Sequence, residues 1–223
     1  MESYEAKGEK ADVILVCVKK YSLDSCIPFI QNISHKNTIV VPVLNVYGTG
    51  AYLQEKLPEL LVTDGCIYVS ANIKQPGVLL QHGEILRVFF GVREKEDLKK
   101  LNGQSDGEYK AERLLKKIAQ DFKDSGIDGI LSDIDGTLSE NIRREALEKF
   151  SYVSPIGAAG LYYHATAADF QKEGEARELF KTLIREIVTL ANAMGITFEE
   201  DLVERNLKIL SNLPEEATTS MQR

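Results

Sequence analysis

Four groups of side chains in this sequence have the types and spacing that chemistry uses. They are Lys149, Asn45, the pair Lys19-Lys20, and the two aspartates of Asp133-Ile-Asp135-Gly-Thr137. Lys149 lies along the edge of an apolar stripe, Ile142, Ala146, Phe150 and Val153, at helical spacing. An ammonium held near apolar surface loses solvation, and its pKa falls toward the range useful to a general acid. Glu145 and Lys149 are also four apart, so an ordinary surface ion pair explains the same residue, and from this helix alone it is the simpler account. Asn45 directly follows the run TIVVPVL. An amide there can donate to a carbonyl or hydroxyl while accepting from a second ligand group. It can equally make an Asx turn, with Gly48 and Gly50 as further turn residues. Lys19 and Lys20 follow DVILVCV, where a cation could neutralise a phosphate. With no glycine-rich loop beside them they also read as a solvated strand end.

The aspartates carry a rival chemistry. An aspartate at a strand end, a second two residues on, then Gly-Thr, resembles the signature of haloacid dehalogenase-like phosphatases. There the first Asp is the nucleophile and the second the acid/base, around Mg²⁺. The preceding strand-like run is short, however, and only helical sequence follows it. An acidic turn capping the next helix is the preferred reading, helped by a capping-box pattern at Thr137 to Glu140. His35, His82 and His164 share no metal or triad spacing, and neither GxGxxG nor GxxxxGK[ST] occurs.

The elements that must position these residues read in two blocks. Val13–Val18 and Thr38–Leu44 are short continuous apolar runs, as expected of strands covered on both faces, and the helix between them makes a parallel unit. Ligands of such sheets bind at the carboxyl ends of the strands, where Lys19-Lys20 and Asn45 fall. A β-rich stretch follows, Cys66–Asn72, Val78–Gln81 and Glu84–Phe90, with turns expected at Pro76-Gly77 and His82-Gly83. Arg93–Gly107 reads as a charged surface connection, Glu108–Asp124 as an amphipathic helix and Ile127–Leu131 as a last strand. The pattern then turns helical: Leu138–Val153, Ile156–Thr166, Gly174–Ala193 with Gly195 as its C-cap, and Phe198–Leu210. A βαβ half followed by an all-α half implies two domains, 1–136 and 137–223.

Composition narrows the function classes. A net charge of -7, from 27 basic and 34 acidic residues, argues against broad nucleic-acid or anionic-membrane binding. No apolar run approaches the ~20 residues of a membrane span, and no secretory signal is visible. Cys17, Cys26 and Cys66 show no CxxC spacing and read as reduced core thiols of a cytoplasmic protein.

Taken in order, these segments resemble the ketopantoate reductase (2-dehydropantoate 2-reductase) family. Its "vKay" is matched by Val18-Lys19-Lys20-Tyr21 and its "NGxG" by Asn45-Val46-Tyr47-Gly48. Its glycine-rich β segment is matched from Gly65-Cys66 through Ser70-Ala71, Pro76-Gly77 and His82-Gly83 to Phe90-Gly91. Its "lWEKf" is matched by Leu147-Glu148-Lys149-Phe150, its late helix by Glu186, Ala191, Ala193, Gly195 and Ile196, and its "SSM" by Ser220-Met221. The resemblance implies an α/β plus all-α fold. An incomplete Rossmann-like parallel sheet precedes a helical domain like the carboxyl-terminal domain of 6-phosphogluconate dehydrogenase. It implies NADPH-dependent reduction of ketopantoate or a similar small 2-keto acid, a cytoplasmic step of pantothenate biosynthesis, and is compatible with a homodimer. Lys149 would be the general acid. Lys19, Asn45 and Ala71 would bind NADP(H), and Asn45 and Ser220 the substrate. Asp133 to Thr137 would be an interdomain joint, with no metal site.

The departures from that family are specific. Its amino-terminal strand and GxGxxG loop have no counterpart here, which removes the pyrophosphate site at a helix N-terminus. Family asparagines near the lysine and before "SSM" are Val153, Gly157 and Ala217, and the first serine of "SSM" is Thr219. The acidic residue that usually follows is also missing. A truncated member that binds without turnover is therefore the alternative to an active reductase, with the Mg²⁺ phosphatase third.

Overall fold

β1 (Ala11–Val16) leads through a short 3-10 turn at Lys20–Ser22 into α1 (Leu23–Ile33) and back to β2 (Ser34–Pro42). In this computed structural model, which describes residues 8–101, 103–105, 107–131, 138–219, 221 and 222, β1 and β2 pair in parallel. α2 (Thr49–Lys56) follows, then β3 (Leu61–Val62), parallel to β2. The three strands form one sheet in the order β1-β2-β3.

β2 explains its own apolar run. Ile39, Val41 and Val43 enter one cluster with Leu115 and Ile118, and Val40 and Leu44 enter another with Leu23, Ile30 and Leu53. Period-two alternation thus buries both faces. β1 departs from the expectation of two covered faces: Val13 and Leu15 remain 38% and 45% exposed. Among the described residues β1 pairs with β2 alone, so it is an edge strand with less to cover it. Cys17, expected in the core, is exposed for the same reason, whereas Cys66 is buried.

β4 (Asp64–Gln75) and β5 (Val78–Gly91) form one antiparallel ribbon around Pro76-Gly77. The second turn expected at His82-Gly83 is not a chain reversal. Pairing passes from Val69 with Leu86 to Ala71 with Gln81, so residues 82–85 of β5 face Ser70 alone and bulge out, with Gly83 at φ +73. The stretch after β5 is not the surface connection expected from its charge. A 3-10 turn at Lys95–Lys100 brings Leu98 to a common side with Leu101, and both are buried in the core beside Arg93. β6 (Gln104–Ser105) and β7 (Glu108–Tyr109) pair, α3 (Lys110–Asp124) packs Ala111, Leu115 and Ile118 into the core, and β8 (Asp128–Leu131) joins β5 in parallel.

The remainder is helical: α4 (Leu138–Tyr163), α5 (Ala167–Gln171), α6 (Glu175–Ala193) and α7 (Leu202–Ser211). The chain divides into two compact units, 1–143 and 144–223. The second has its own core, in which Phe180 meets Phe170 and Tyr152 edge-on at 5.7 and 6.3 Å. Its helix ends are tied locally. Thr166 and Asp169 form a capping box, Asp201 accepts from the Val203 and Glu204 amides, and Gly195 ends α6 at φ +75.

The two helices expected around Pro155 are one continuous helix. Proline at 155 removes the amide that would bond the Ser151 carbonyl. That carbonyl instead accepts from Asn206 Nδ2 of α7 at 3.1 Å, and the Ser151 hydroxyl from the same nitrogen at 3.0 Å. Both residues are buried, so this pairing removes the cost of an orphaned carbonyl and lets the helix run through the proline.

Candidate functional site

In the first unit, backbone ties at two adjacent strand ends place the candidate residues. Val43 N–H donates to the Val16 carbonyl at 3.1 Å, closing the register of β1 and β2 at their carboxyl ends. Lys19 leaves β1 there, exposed, and its carbonyl accepts from Ser22 N–H to start the 3-10 turn. Asn45 leaves β2 there, also exposed. Parallel neighbours lie about 4.8 Å apart, so the fold brings Lys19 and Asn45 to one edge of the sheet. Lys20 extends the group, its Nζ lying 4.3 Å from the Tyr52 ring centre.

The loop from Asn45 is short because α2 begins at Thr49. Gly48 turns the chain at φ +79, and Thr49 Oγ1 donates to the Val46 carbonyl at 2.8 Å. The N-cap of α2 carries no side-chain bond. The second residue of α2, Gly50, lies directly against the carboxylate of Asp64 at the start of β4: a Cβ there would stand 2.1 Å from Asp64 Oδ1. Asp64 pairs with Arg93 Nη1 at 3.4 Å, and Arg93 Nη2 lies 3.7 Å from Asp97. Burial pushes the Asp64 carboxyl above its ordinary value, against the pull of Arg93, Arg143 and the Gly50 amide. Tyr47 is likewise pushed up, chiefly by burial and then by Asp64. Arg143 also pairs with Glu94 at 3.4 Å.

Ala71 is exposed in the ribbon, opposite Gln81. Seven residues of strand, on the order of 20 Å, separate it from Asp64, so it belongs to the ribbon and not to the strand-end loops.

In the second unit Lys149 is half-buried on α4. Ile142, Leu147 and Ser151 carry the buried line of this helix segment, whereas Ala146, Phe150 and Val153 of the expected stripe are only half-buried. The turn holding Lys149 is tied at residues before and after it in sequence. Glu148 pairs with Arg205 and Ser151 takes the amide of Asn206, neighbours on α7. Ser220 lies outside the described residues, as do Asp133 and Asp135. The segment flanking Ser220 packs on α4: Gln222 Nε2 donates to the Gly160 and Ala165 carbonyls at 3.1 and 2.8 Å. A Cβ on Gly157 would stand 2.3 Å from the sulfur of Met221.

Sequence reasoning missed Asp64, Arg93 and Asn206. Asn206 had a readable signal, because it is a polar residue on the buried stripe of α7 between Val203 and Leu210. Asp64 had none, since its partners come from sequence-distant elements. Two hollows, of about 660 Å³ beside Arg185 and Asp201 and about 370 Å³ beside Val13 and Leu114, contain none of the expected site residues. Among the described residues there is no cluster of three or more metal-ligating side chains, and no helix is long and apolar enough to cross a membrane.

Two family models match this chain: "Ketopantoate reductase PanE/ApbA" over residues 1–95 and "Ketopantoate reductase PanE/ApbA C terminal" over residues 141–223. An uncharacterized oxidoreductase of Bacillus subtilis, YkpB, is 19% identical over 212 residues, 95% of this chain and 63% of that protein. A dimeric ketopantoate reductase from Staphylococcus aureus is similar in structure, with a TM-score of 0.72 and 24% identity, over 98% of this chain and 65% of that one. A ketopantoate reductase from Ralstonia eutropha gives 0.75 at 18% identity, over 99% and 64%. A D-mandelate dehydrogenase solved with NADH and anilino(oxo)acetate gives 0.72 at 20% identity, over 97% and 63%. The chain thus spans just under two thirds of the length of these relatives.

Proposed function

Since the chain belongs to the ketopantoate reductase family, we propose that it serves the NADPH-dependent reduction of a 2-keto acid, ketopantoate or a close analogue. The observation that carries this reading is that Lys19 and Asn45 stand in the segments leaving the carboxyl ends of the adjacent parallel strands β1 and β2.

The strand-end group suits one part of a dinucleotide. An exposed amide with both donor and acceptor fits a nicotinamide or ribose, and the ammonium groups of Lys19 and Lys20 fit a phosphate. In this reading the pyrophosphate is not served by α2, because the Asp64 carboxylate already stands against that helix terminus and would repel a second anion. A reduced nicotinamide, when bound, supplies the hydride. The chain's own part is then to hold the keto acid and move one proton. In this reading Asn45 donates to the substrate, and Ser220 binds its carboxylate or hydroxyl. Lys149 polarises the ketone and gives its proton to the oxygen as negative charge develops there.

The direct test is the rate of NADPH oxidation with ketopantoate and with analogues lacking its branched end. Lys149→Ala should lower turnover by about two to four orders of magnitude with a smaller effect on cofactor affinity. Unchanged turnover in that variant would remove Lys149 from the reaction. A second reading, a binding member without turnover, is favoured by the Asp64 carboxylate standing against the helix terminus of α2. It predicts no fluorescence change on titration with NADPH. The phosphatase reading needs phosphate release that depends on Mg²⁺ and vanishes in Asp133→Asn.

A further inference from the structure

We infer that Asp64 is a positioning residue for Asn45, acting through the amino terminus of α2, with Arg93 holding its carboxylate in place. This rests on the reading of Asn45 given above. A helix is ordinarily capped by a side chain one position before it. Here that position is Gly48, which has no side chain to offer, and the carboxylate set against the first turn is that of Asp64 on another element. The fit is close. A Cβ on Gly50 would stand 2.1 Å from Asp64 Oδ1 and 2.2 Å from the Thr63 carbonyl, so the start of α2 is seated directly on the head of β4.

The consequence falls on the loop. Its leading end is tied to the sheet by Val43 N–H on the Val16 carbonyl, and its trailing end is seated by the packing of Gly50 against the Asp64 carboxylate. Between these ends lie Asn45 and the turn after it, which a local bond from Thr49 to Val46 closes. Removing the Asp64 carboxylate would release one of the two ends.

The arrangement is costly for a mere cap. A buried carboxylate loses its hydration, and this one recovers it chiefly through Arg93, which Asp97 holds from its other side. Asp64 and Arg93 are each 7% exposed, so the pair is not a surface contact that a solvated residue could replace. Both come from the ends of the ribbon strands, Asp64 at the start of β4 and Arg93 just after β5. The ribbon therefore sets the height of the loop above the strand ends.

A double-mutant cycle on the whole chain tests this. Asp64→Asn keeps the shape and an acceptor for Gly50 but removes the charge that Arg93 holds. Measured as kcat/KM for ketopantoate with NADPH, it should cost about 10- to 100-fold in the native background. With Asn45→Ala already present it should cost under about threefold, because the group it positions is gone. Equal losses in both backgrounds would overturn the proposal and leave Asp64 a structural residue. Amide hydrogen exchange read residue by residue is the second measurement. Asp64→Asn should cut protection at residues 46–50 and leave Val40 and Ile184 unchanged. If the native chain turns over no keto acid, the reductase reading fails by itself. The exchange result then decides the role of Asp64 alone, and unchanged protection at 46–50 overturns it.

Discussion

Asn45 and Lys149 both sit where regular backbone bonding is interrupted, one by a loop and the other two residues before the carbonyl that a proline orphans. Each interruption is repaired by a side chain from a distant element, but with opposite chemistry. In residues 1–143 the repair is a buried charge, Asp64, that needs Arg93. In residues 144–223 it is a neutral amide, Asn206, whose nitrogen serves both oxygens of Ser151. A charge gives a stronger bond to an amide N–H but costs desolvation. A neutral amide costs less and cannot be titrated away. The two units should therefore fail under different conditions.

The largest expected effect of that kind lies at alkaline pH in the second unit. Tyr152, beside Ser151 and edge-on to Phe180, has its hydroxyl pushed up to about 12 by burial. A group raised in the folded state contributes stability below its unfolded value, near 10 for tyrosine, and loses it as pH rises through the folded value. Between about pH 10 and 12 the second unit should lose roughly 2–3 kcal/mol that Tyr152→Phe retains. Urea unfolding followed by exchange at Ile184 and Phe180 checks it. A parallel fall in the Phe variant would place the loss elsewhere.

Next in size is the amide repair. Asn206→Ala should destabilise the second unit by about 1–3 kcal/mol, because a buried carbonyl and hydroxyl lose their donor. Pro155→Ala restores an amide four residues after Ser151 and returns the intrahelical bond. In that background Asn206→Ala should cost clearly less. Additive losses would show that Asn206 does not compensate for the proline, and the contrast between the two repairs would collapse.

How far the sequence foretold this depends on the range of the interactions concerned. The parallel unit was legible, since β2 needs apolar side chains at every position to be buried on both faces, and Thr38–Leu44 supplies them. The strand-end positions of Lys19 and Asn45 follow from that pattern alone. Pro155 misled, because local rules say that a proline ends a helix and the rescuing amide lies some fifty residues on, at Asn206. His82-Gly83 misled similarly: a glycine at positive φ serves a bulge as well as a turn, and only the partner strand decides which. The charges of 93–101 hid Leu98 and Leu101, whose burial depends on a 3-10 turn with no strong signature. For the candidate site the residue types were readable, but what holds them was not, because Asp64 and Arg93 meet only when the ribbon folds.

The smallest effect is the most direct probe of a charged against a neutral repair. Asp64 departs from the usual behaviour of a paired carboxylate, because its burial outweighs Arg93 and raises its pKa. The sign therefore inverts. A carboxylate raised on folding adds stability that is fully present below its unfolded value, near 3.9, and is lost as pH rises through the folded value. Lowering the pH from neutrality toward 4 should thus stabilise the native first unit relative to Asp64→Asn. For a single proton the slope cannot exceed about 1.4 kcal/mol per pH unit. Over the same range the difference between the native chain and Asn206→Ala should stay flat, since neither Asn206 nor Ser151 titrates. Exchange at Val40 reports the first unit and exchange at Ile184 the second. Should the native chain instead lose stability relative to Asp64→Asn on acidification, Arg93 dominates after all. The first unit would then be held by an attraction that acid breaks, and not by a charge that burial penalises.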